Sequence, residues 1–179
     1  IAAVRRARAG GLRVVVVTGR IMAELTAAFP HLLEEVDAMV AENGAVLVTS
    51  AGSRRLAPAL PAELADALVG AGITCRRGEV LVAMSAADEG RAIEVIRSMG
   101  LDCALVRNRA ELMLLPAGVT KASGLVAALA DLGLSPHNTV AVGDAENDHS
   151  LFDACEVGVA VANAVPSLRA HADLVLEGQ

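Results

Sequence analysis

Val140-Ala141-Val142-Gly143-Asp144-Ala145-Glu146-Asn147-Asp148-His149-Ser150-Leu151-Phe152 decides how the rest of the chain is read. A short apolar run ends at Gly143, and two carboxylates follow four residues apart with an asparagine beside the second. A helical pattern then begins, with Leu151, Phe152 and Cys155 on its buried side. The order predicts a strand, a tight acidic loop and a helix. Asp144 then stands at the carboxyl end of a strand and Asp148 in the first turn of a helix, the end of an open α/β sheet at which ligands bind. Two carboxylates so close repel each other unless a cation lies between them. Oxygen donors with few carboxylates suit Mg²⁺, which keeps several waters and is often shared with a phosphate. The same D-x-x-x-D spacing also fits a capped helix start, with one acid satisfying free amides, and spacing alone leaves both readings open.

Composition narrows the classes. A chain of 179 residues can form one large domain or a core with an insert. Two phenylalanines and no Trp or Tyr leave the core to Ala, Val and Leu, and argue against a nucleic-acid surface built on base stacking. A net charge of -6 further disfavours a polyanion-binding face, while leaving room for a local phosphate pocket. Apolar runs such as Val14 to Val17 and Leu112 to Leu115 have strand length. They fall short of the roughly 18 to 20 residues of a membrane span, and no secretory signal pattern is visible. Cys75, Cys103 and Cys155 form no C-x-x-C pair, which predicts buried thiols in a reducing cytoplasm in preference to a disulfide or metal site.

Outside the acidic loop the chain alternates. Apolar and basic residues at helical spacing run from Ile1 to Ala9, and Gly10-Gly11 ends them. Arg13 to Val17 is a β-branched run of the kind buried on both faces in a parallel sheet. Helix Ile21 to Phe29, strand Asp37 to Ala41 and an extended stretch Ala45 to Thr49 follow. From about Leu56 the texture changes to an α+β block. It contains a helix after Pro61, a hairpin around Arg77-Gly78, a helix capped by Asp88 with Ile93, Ile96 and Met99 on one face, and a second hairpin around Asn108-Arg109. After Pro116 the alternation resumes, with Thr120 capping a helix and strands at Thr139 to Val142, Val157 to Val161 and Asp173 to Leu176. The block reads as an insertion into the alternating unit.

Three strand ends of the alternating unit carry polar residues. Thr18 and Gly19 stand at a helix start, where free amides favour an anion; an N-cap threonine is the alternative. Lys121 is the only lysine among 15 basic residues and sits in a first helical turn, where the helix dipole disfavours a cation. A carboxylate pair, a phosphate or both would compensate; an exposed lysine pointing away is the alternative. Asp144, Asn147 and Asp148 form the third end. A hydroxyl, an ammonium and a metal-binding acid pair at one sheet edge suit phosphoryl transfer.

These residues also form an ordered set of motifs. Val14-Val15-Val16-Val17-Thr18-Gly19-Arg20, Ala41-Glu42-Asn43-Gly44-Ala45, Pro116-Ala117-Gly118-Val119-Thr120-Lys121, Gly143-Asp144-Ala145-Glu146-Asn147-Asp148 and Val159-Ala160-Val161-Ala162-Asn163-Ala164 succeed one another along the chain. The set resembles the haloacid dehalogenase-like hydrolase superfamily, in the branch with the second type of α/β cap, which holds Cof-type sugar phosphatases and phosphomannomutase. The resemblance implies a Rossmann-like parallel sheet core over residues 1–55 and 116–179, with an α+β cap over 56–115. It implies that Thr18, Gly19, Arg20, Asn43, Asn147 and Lys121 bind substrate phosphate, that Lys121, Thr18 and Asp144 serve catalysis, and that Asp144, with Asp148 in support, holds Mg²⁺.

The resemblance also implies an Asp-x-Asp on a first core strand, lying between the strands that end at Thr18 and Asp144. No acidic residue precedes Thr18. We therefore expect a chain without that strand, shorter by about 25 to 30 residues on typical βαβ lengths, inactive alone and with apolar strand edges uncovered. The implied activity is hydrolysis of a small phosphorylated metabolite such as a sugar phosphate or phosphoglycolate, through an aspartyl-phosphate. A phosphomutase or a non-catalytic phosphate-ligand binder shares the same residues. No nucleic-acid or membrane partner is expected. Arg76, Arg77, Arg107 and Arg109, on or near the turns of the inserted block, are candidates for a second anionic group of the substrate or for simple solvation. His149 and His171 receive no role.

Overall fold

A computed structural model describes residues 1–178. The chain runs α1 (Ala2–Ala9), β1 (Val15–Val17), α2 (Met22–Ala28), α3 (Leu32–Glu35), β2 (Ala38–Ala41), β3 (Val46–Thr49) and β4 (Gly52–Arg55). Then come α4 (Ala62–Gly70), β5 (Cys75–Arg77), β6 (Val82–Ser85), α5 (Glu89–Met99), β7 (Cys103–Asn108) and β8 (Glu111–Pro116). It ends with α6 (Lys121–Asp131), β9 (Val140–Gly143), α7 (His149–Ala154), β10 (Val157–Ala160), α8 (Pro166–His171) and β11 (Leu174–Val175).

The expected alternating core is present, but as two sheets. One has the order β1-β2-β3-β4, with β1 parallel to β2 and the other pairings antiparallel. The other has the order β11-β10-β9 and is parallel throughout. β1 and β9 are therefore unpaired edges. Between them lies a largely apolar cleft of about 600 Å³, walled by Val15 and Val17 on one side, Val140 and Val142 on the other, and floored by Leu125 and Leu129 of α6. Val140 and Val142 remain 58 % and 59 % exposed, although β-branched residues belong in a covered strand.

The block between β4 and α6 forms a four-stranded antiparallel sheet of order β5-β6-β8-β7. Its two faces follow the two-residue period of a strand. Val82, Met84, Leu112 and Leu114 turn toward α4 and α5, where they meet Leu64, Leu68, Ala92 and Ile96. Leu81, Ala83, Met113 and Leu115 turn the other way and share a cluster with Ile21, Leu25, Met39 and Val46 of the first sheet and α2. The inserted layer is thus joined to the core by a common hydrophobic seam.

Several local expectations change. β4 was not expected; Gly52-Ser53-Arg54-Arg55 is wholly exposed and lacks an apolar period, and its pairing with β3 makes it a strand. Asp88 does not cap α5 through its side chain. Ser85 Oγ accepts from the Ala87 amide one turn earlier, and Asp88 pairs with Arg91. Ile93 is 36 % exposed, and Ala92 takes the buried place on that helix. Thr120 does cap α6, in a reciprocal box with Ser123. No helix among the described residues is long and apolar enough to cross a membrane.

Candidate active site

Thr18 directly follows β1, Lys121 opens α6, and Asp144 directly follows β9, so three element ends meet at one edge of the two parallel stretches. Hydrogen bonds connect them. The Asn43 amide donates to the Thr18 carbonyl at 2.9 Å, and Asn147 Nδ2 donates to Asn43 Oδ1 at 3.0 Å. Next to Asn147, Asp148 accepts from Lys121 Nζ at 2.5 Å through Oδ1. Its Oδ2 accepts from the amides of Asp144 and Ala145 at 2.9 and 3.0 Å. A Cβ placed on Gly44 would lie 1.9 Å from the Thr120 carbonyl oxygen, which shows how closely the β2–β3 loop backs the start of α6.

Lys121 is 6 % exposed, and burial of its ammonium is compensated by the Asp148 carboxylate. This is the anion that the helix-dipole argument required near Lys121. Asp148 has both oxygens engaged inside the chain, with Lys121 and with two loop amides, and so fixes the acidic loop and the lysine. The residues 146–148 form a 3₁₀ turn before α7, and Asp148 reaches back to the loop amides from it, which is the capping alternative left open by the spacing. Asn43 is 2 % exposed and spends its side-chain oxygen on Asn147.

Asp144 is the half-exposed acid. Its Oδ2 accepts from Arg109 Nη2 at 2.6 Å across the gap to the β7–β8 turn. Arg109 holds a φ of 54°, a left-handed conformation uncommon for a residue with a side chain. Of the other arginines of the inserted block, Arg76 bridges Glu24 of α2 and Glu111 of β8, Arg77 donates to the Leu60 and Pro61 carbonyls, and Arg107 pairs with Glu89. All four are thus engaged within the chain. The Arg20 guanidinium, by contrast, makes no side-chain hydrogen bond or ion pair among the described residues and lines a cavity of about 260 Å³ with Thr18, Gly19, Arg76, Asn108 and Met113. Thr18 Oγ1 accepts from the Arg20 amide at 3.2 Å, which leaves its hydrogen free to donate into that space.

No cluster of three or more His, Cys, Asp or Glu side chains able to hold a metal occurs among the described residues. Asp144 offers one carboxylate, and Asn147 Oδ1 is buried with no hydrogen-bond partner among the described residues. An unpartnered buried oxygen requires a donor or a cation. One carboxylate, one amide oxygen and room for water and phosphate suit Mg²⁺, which is bound through one or two carboxylates rather than a complete protein cage. The three thiols are free and half-buried. Burial raises the pKa of each, aided at Cys75 by Asp66 and at Cys103 by Asp102, which keeps them protonated and unreactive.

The sequence assigns Glu42 no site role, and offers Arg109 only as a candidate for a substrate anion and not as a partner of Asp144. Arg109 was one of four arginines with no local feature to rank it above the others. Glu42 offered one signal, an acid set between an apolar strand and Asn43-Gly44 with no basic residue nearby in sequence.

Comparison with known proteins agrees with this architecture. The profile of a family described as haloacid dehalogenase-like hydrolase matches residues 103–178. A phosphoglycolate phosphatase of Halorubrum lacusprofundi is 33 % identical over 174 residues, covering 91 % of this chain and 76 % of the relative. One from Methanoculleus marisnigri is 41 % identical over 90 residues, covering 50 % of this chain but only 38 % of its own length. Among solved structures, a Thermoplasma acidophilum protein superposes with a TM-score of 0.80 at 17 % identity, covering 99 % of this chain and 82 % of that one. A subclass IIB sugar phosphatase of the haloacid dehalogenase superfamily gives 0.74 at 21 % identity over 97 % and 83 %. Both share the Rossmann-like fold.

Proposed function

Because the chain belongs to the haloacid dehalogenase-like hydrolase family, and among its phosphatases, we propose that it works in a Mg²⁺-dependent enzyme that hydrolyses a small phosphorylated metabolite in the cytoplasm. The observation that carries the reading is the bonded path from Thr18 through Asn43 and Asn147 to Asp148 and Lys121, which gathers a hydroxyl, an ammonium and an oxygen donor set at one sheet edge.

The roles follow from position. The Thr18 hydroxyl and Gly19 amide hydrogen-bond to a phosphoryl oxygen. Lys121, held by Asp148, neutralises charge that builds up on the transferring group. Arg20, free of any carboxylate, meets a further anionic oxygen of the substrate. Asp144 would hold Mg²⁺, with Asp148 in support and the Asn147 oxygen as a further donor. The bound ion would supply charge neutralisation at the phosphoryl oxygens and orient them.

A strand seated in the β1–β9 cleft and parallel to β1 would bring its carboxyl end toward Thr18 and Asp144. An aspartate there would attack phosphorus and displace the substrate alkoxide, which takes a proton from solvent; water would then attack the same phosphorus, breaking its bond to the carboxylate and releasing inorganic phosphate. Residues 56–115 act as a cap over the 260 Å³ cavity. Phosphoglycolate is the first substrate to assay, on the activity named for the Halorubrum relative.

The test is phosphate release from phosphoglycolate and from a generic aryl phosphate by the whole protein, with Mg²⁺ and with chelator. Release should require the metal and be lost in Lys121→Ala. Turnover that survives both treatments refutes the reading.

A further inference from the structure

Glu42 is fully buried, at 0 % exposure, and forms no ion pair among the described residues. Its carboxylate is instead surrounded by backbone amides. Oε1 accepts from Glu79 at 2.8 Å and Oε2 from Val80 at 2.8 Å and Leu81 at 3.2 Å, all on the inserted layer just before β6. The Met22 amide at the start of α2 approaches Oε1 at 3.4 Å. Gly78 is part of the same cradle, because a Cβ there would lie 2.4 Å from Oε1. An apolar side chain would fill this volume without the desolvation cost of a charge. A carboxylate held by amides is directional, and it can exist here only while residues 78–81 are docked.

The backbone that carries Glu42 reaches every part of the candidate site. Glu42 and Asn43 hold φ of 52° and 56°, left-handed values that are uncommon for a residue with a long side chain such as Glu42. In that conformation the Glu42 amide donates to the Arg20 carbonyl at 3.0 Å and the Asn43 amide to Thr18 at 2.9 Å. Asn43 Oδ1 holds Asn147, and Gly44 backs Thr120 and Lys121.

We propose that Glu42 is a positioning residue, which makes the geometry of Asn147 and the Thr18 loop conditional on docking of the inserted layer. With the peg seated, Asn43 presents its oxygen to Asn147, and Asn147 keeps its own Oδ1 free for the site. With the peg withdrawn, the two left-handed residues lose the contacts that hold them, and Asn147 is released. The functional part of this inference rests on the phosphatase reading.

The experiment compares wild type, Glu42→Gln, Gly78→Ala and the double variant in the full-length protein. Glutamine places an NH₂ against amide donors, and alanine pushes the carboxylate from the opposite side. Each single variant should move the Asn147 side-chain amide resonances and speed hydrogen exchange at Glu79, Val80 and Leu81 by about ten-fold or more. Each should lower kcat by roughly ten-fold with KM within about three-fold, the pattern of misplaced groups rather than lost binding. The double variant should add little to either. If Glu42→Gln lowers Tm but leaves the Asn147 resonances and kcat at wild-type values, Glu42 is only structural and the proposal fails. If Glu42→Gln does not fold, Gly78→Ala decides by the same readouts. A wild-type protein without phosphatase activity refutes the functional reading alone, since the resonance and exchange measurements still judge the coupling.

Discussion

Replacement of Asp148 by asparagine isolates the contact on which the site depends. The Lys121 and Asp148 side chains are 7 % and 6 % exposed, so water screens the pair little. Asparagine keeps the shape of aspartate but has one acceptor oxygen. That oxygen can serve Lys121 or the amides of Asp144 and Ala145, and the NH₂ then faces a donor on the other side. Removing one member of a buried pair costs about 3 to 5 kcal/mol, against a total stability of about 5 to 15 for a typical domain. Lys121→Met leaves a carboxylate that still has two amide donors, so its cost should fall at the lower end of that range, about 3 kcal/mol. The double variant removes both charges and should be less destabilised than the sum of the single variants by at least about 1 kcal/mol. Because the chain has no Trp or Tyr, urea unfolding is best followed by far-UV circular dichroism. An Asp148→Asn protein within about 1 kcal/mol of wild type, or a strictly additive cycle, would show that the pair is not a buried ion pair in solution and would refute the reasoning.

Four other outcomes can be checked. Arg109→Ala frees Asp144 from a half-exposed pair worth about 0.2 to 1 kcal/mol, so Mg²⁺ affinity measured by calorimetry should rise up to about five-fold; unchanged affinity means that Arg109 and the ion do not compete. Gly44→Ala, at a φ of 112° and with its Cβ 1.9 Å from the Thr120 oxygen, should cost at least about 3 kcal/mol in urea or prevent folding; a neutral substitution there contradicts the close approach. Burial opposes ionisation of Asp37, but the Val14 amide, Arg13 and Arg8 outweigh it and hold the carboxyl below its usual range. Since the folded value lies below the unfolded one of about 3.9, the contribution is present at higher pH and lost as pH falls through the folded value; Asp37→Asn should flatten the stability profile below about pH 4. The three cysteines should react with a thiol reagent at neutral pH far more slowly than an unfolded control, because burial raises each pKa.

The alternating order was legible because strand and helix periods are local. Val14 to Val17 reads as a strand of the kind covered on both faces, although β1 is in fact a half-buried edge, and Val140 to Phe152 reads as strand, loop and helix. The uncovered edges of β1 and β9 were implied by the family resemblance and not by any local period. β4 was not legible, since an exposed Gly-Ser-Arg-Arg run becomes a strand only through its partner. Nor was the seam that joins the inserted layer to the core, because Met113 and Leu115 read locally as one more apolar strand. Among site residues, Lys121 was legible from a mismatch between its charge and the helix dipole. Arg109 was one of several turn arginines until β7 and β8 carried it to Asp144.

By itself the sequence determined which chemical groups this protein gathers and in what order its elements form, since residue type and period depend on neighbours a few positions away. Tertiary structure alone decided which of those groups stay free. Asp148 is spent on Lys121 and two amides, Asn43 on Asn147, and Glu42 on a layer 37 to 39 residues further on, while the Asn147 oxygen and the Arg20 guanidinium have no partner among the described residues. Hydrogen-bond partners are assigned by packing across distant segments, and no local pattern carries that information.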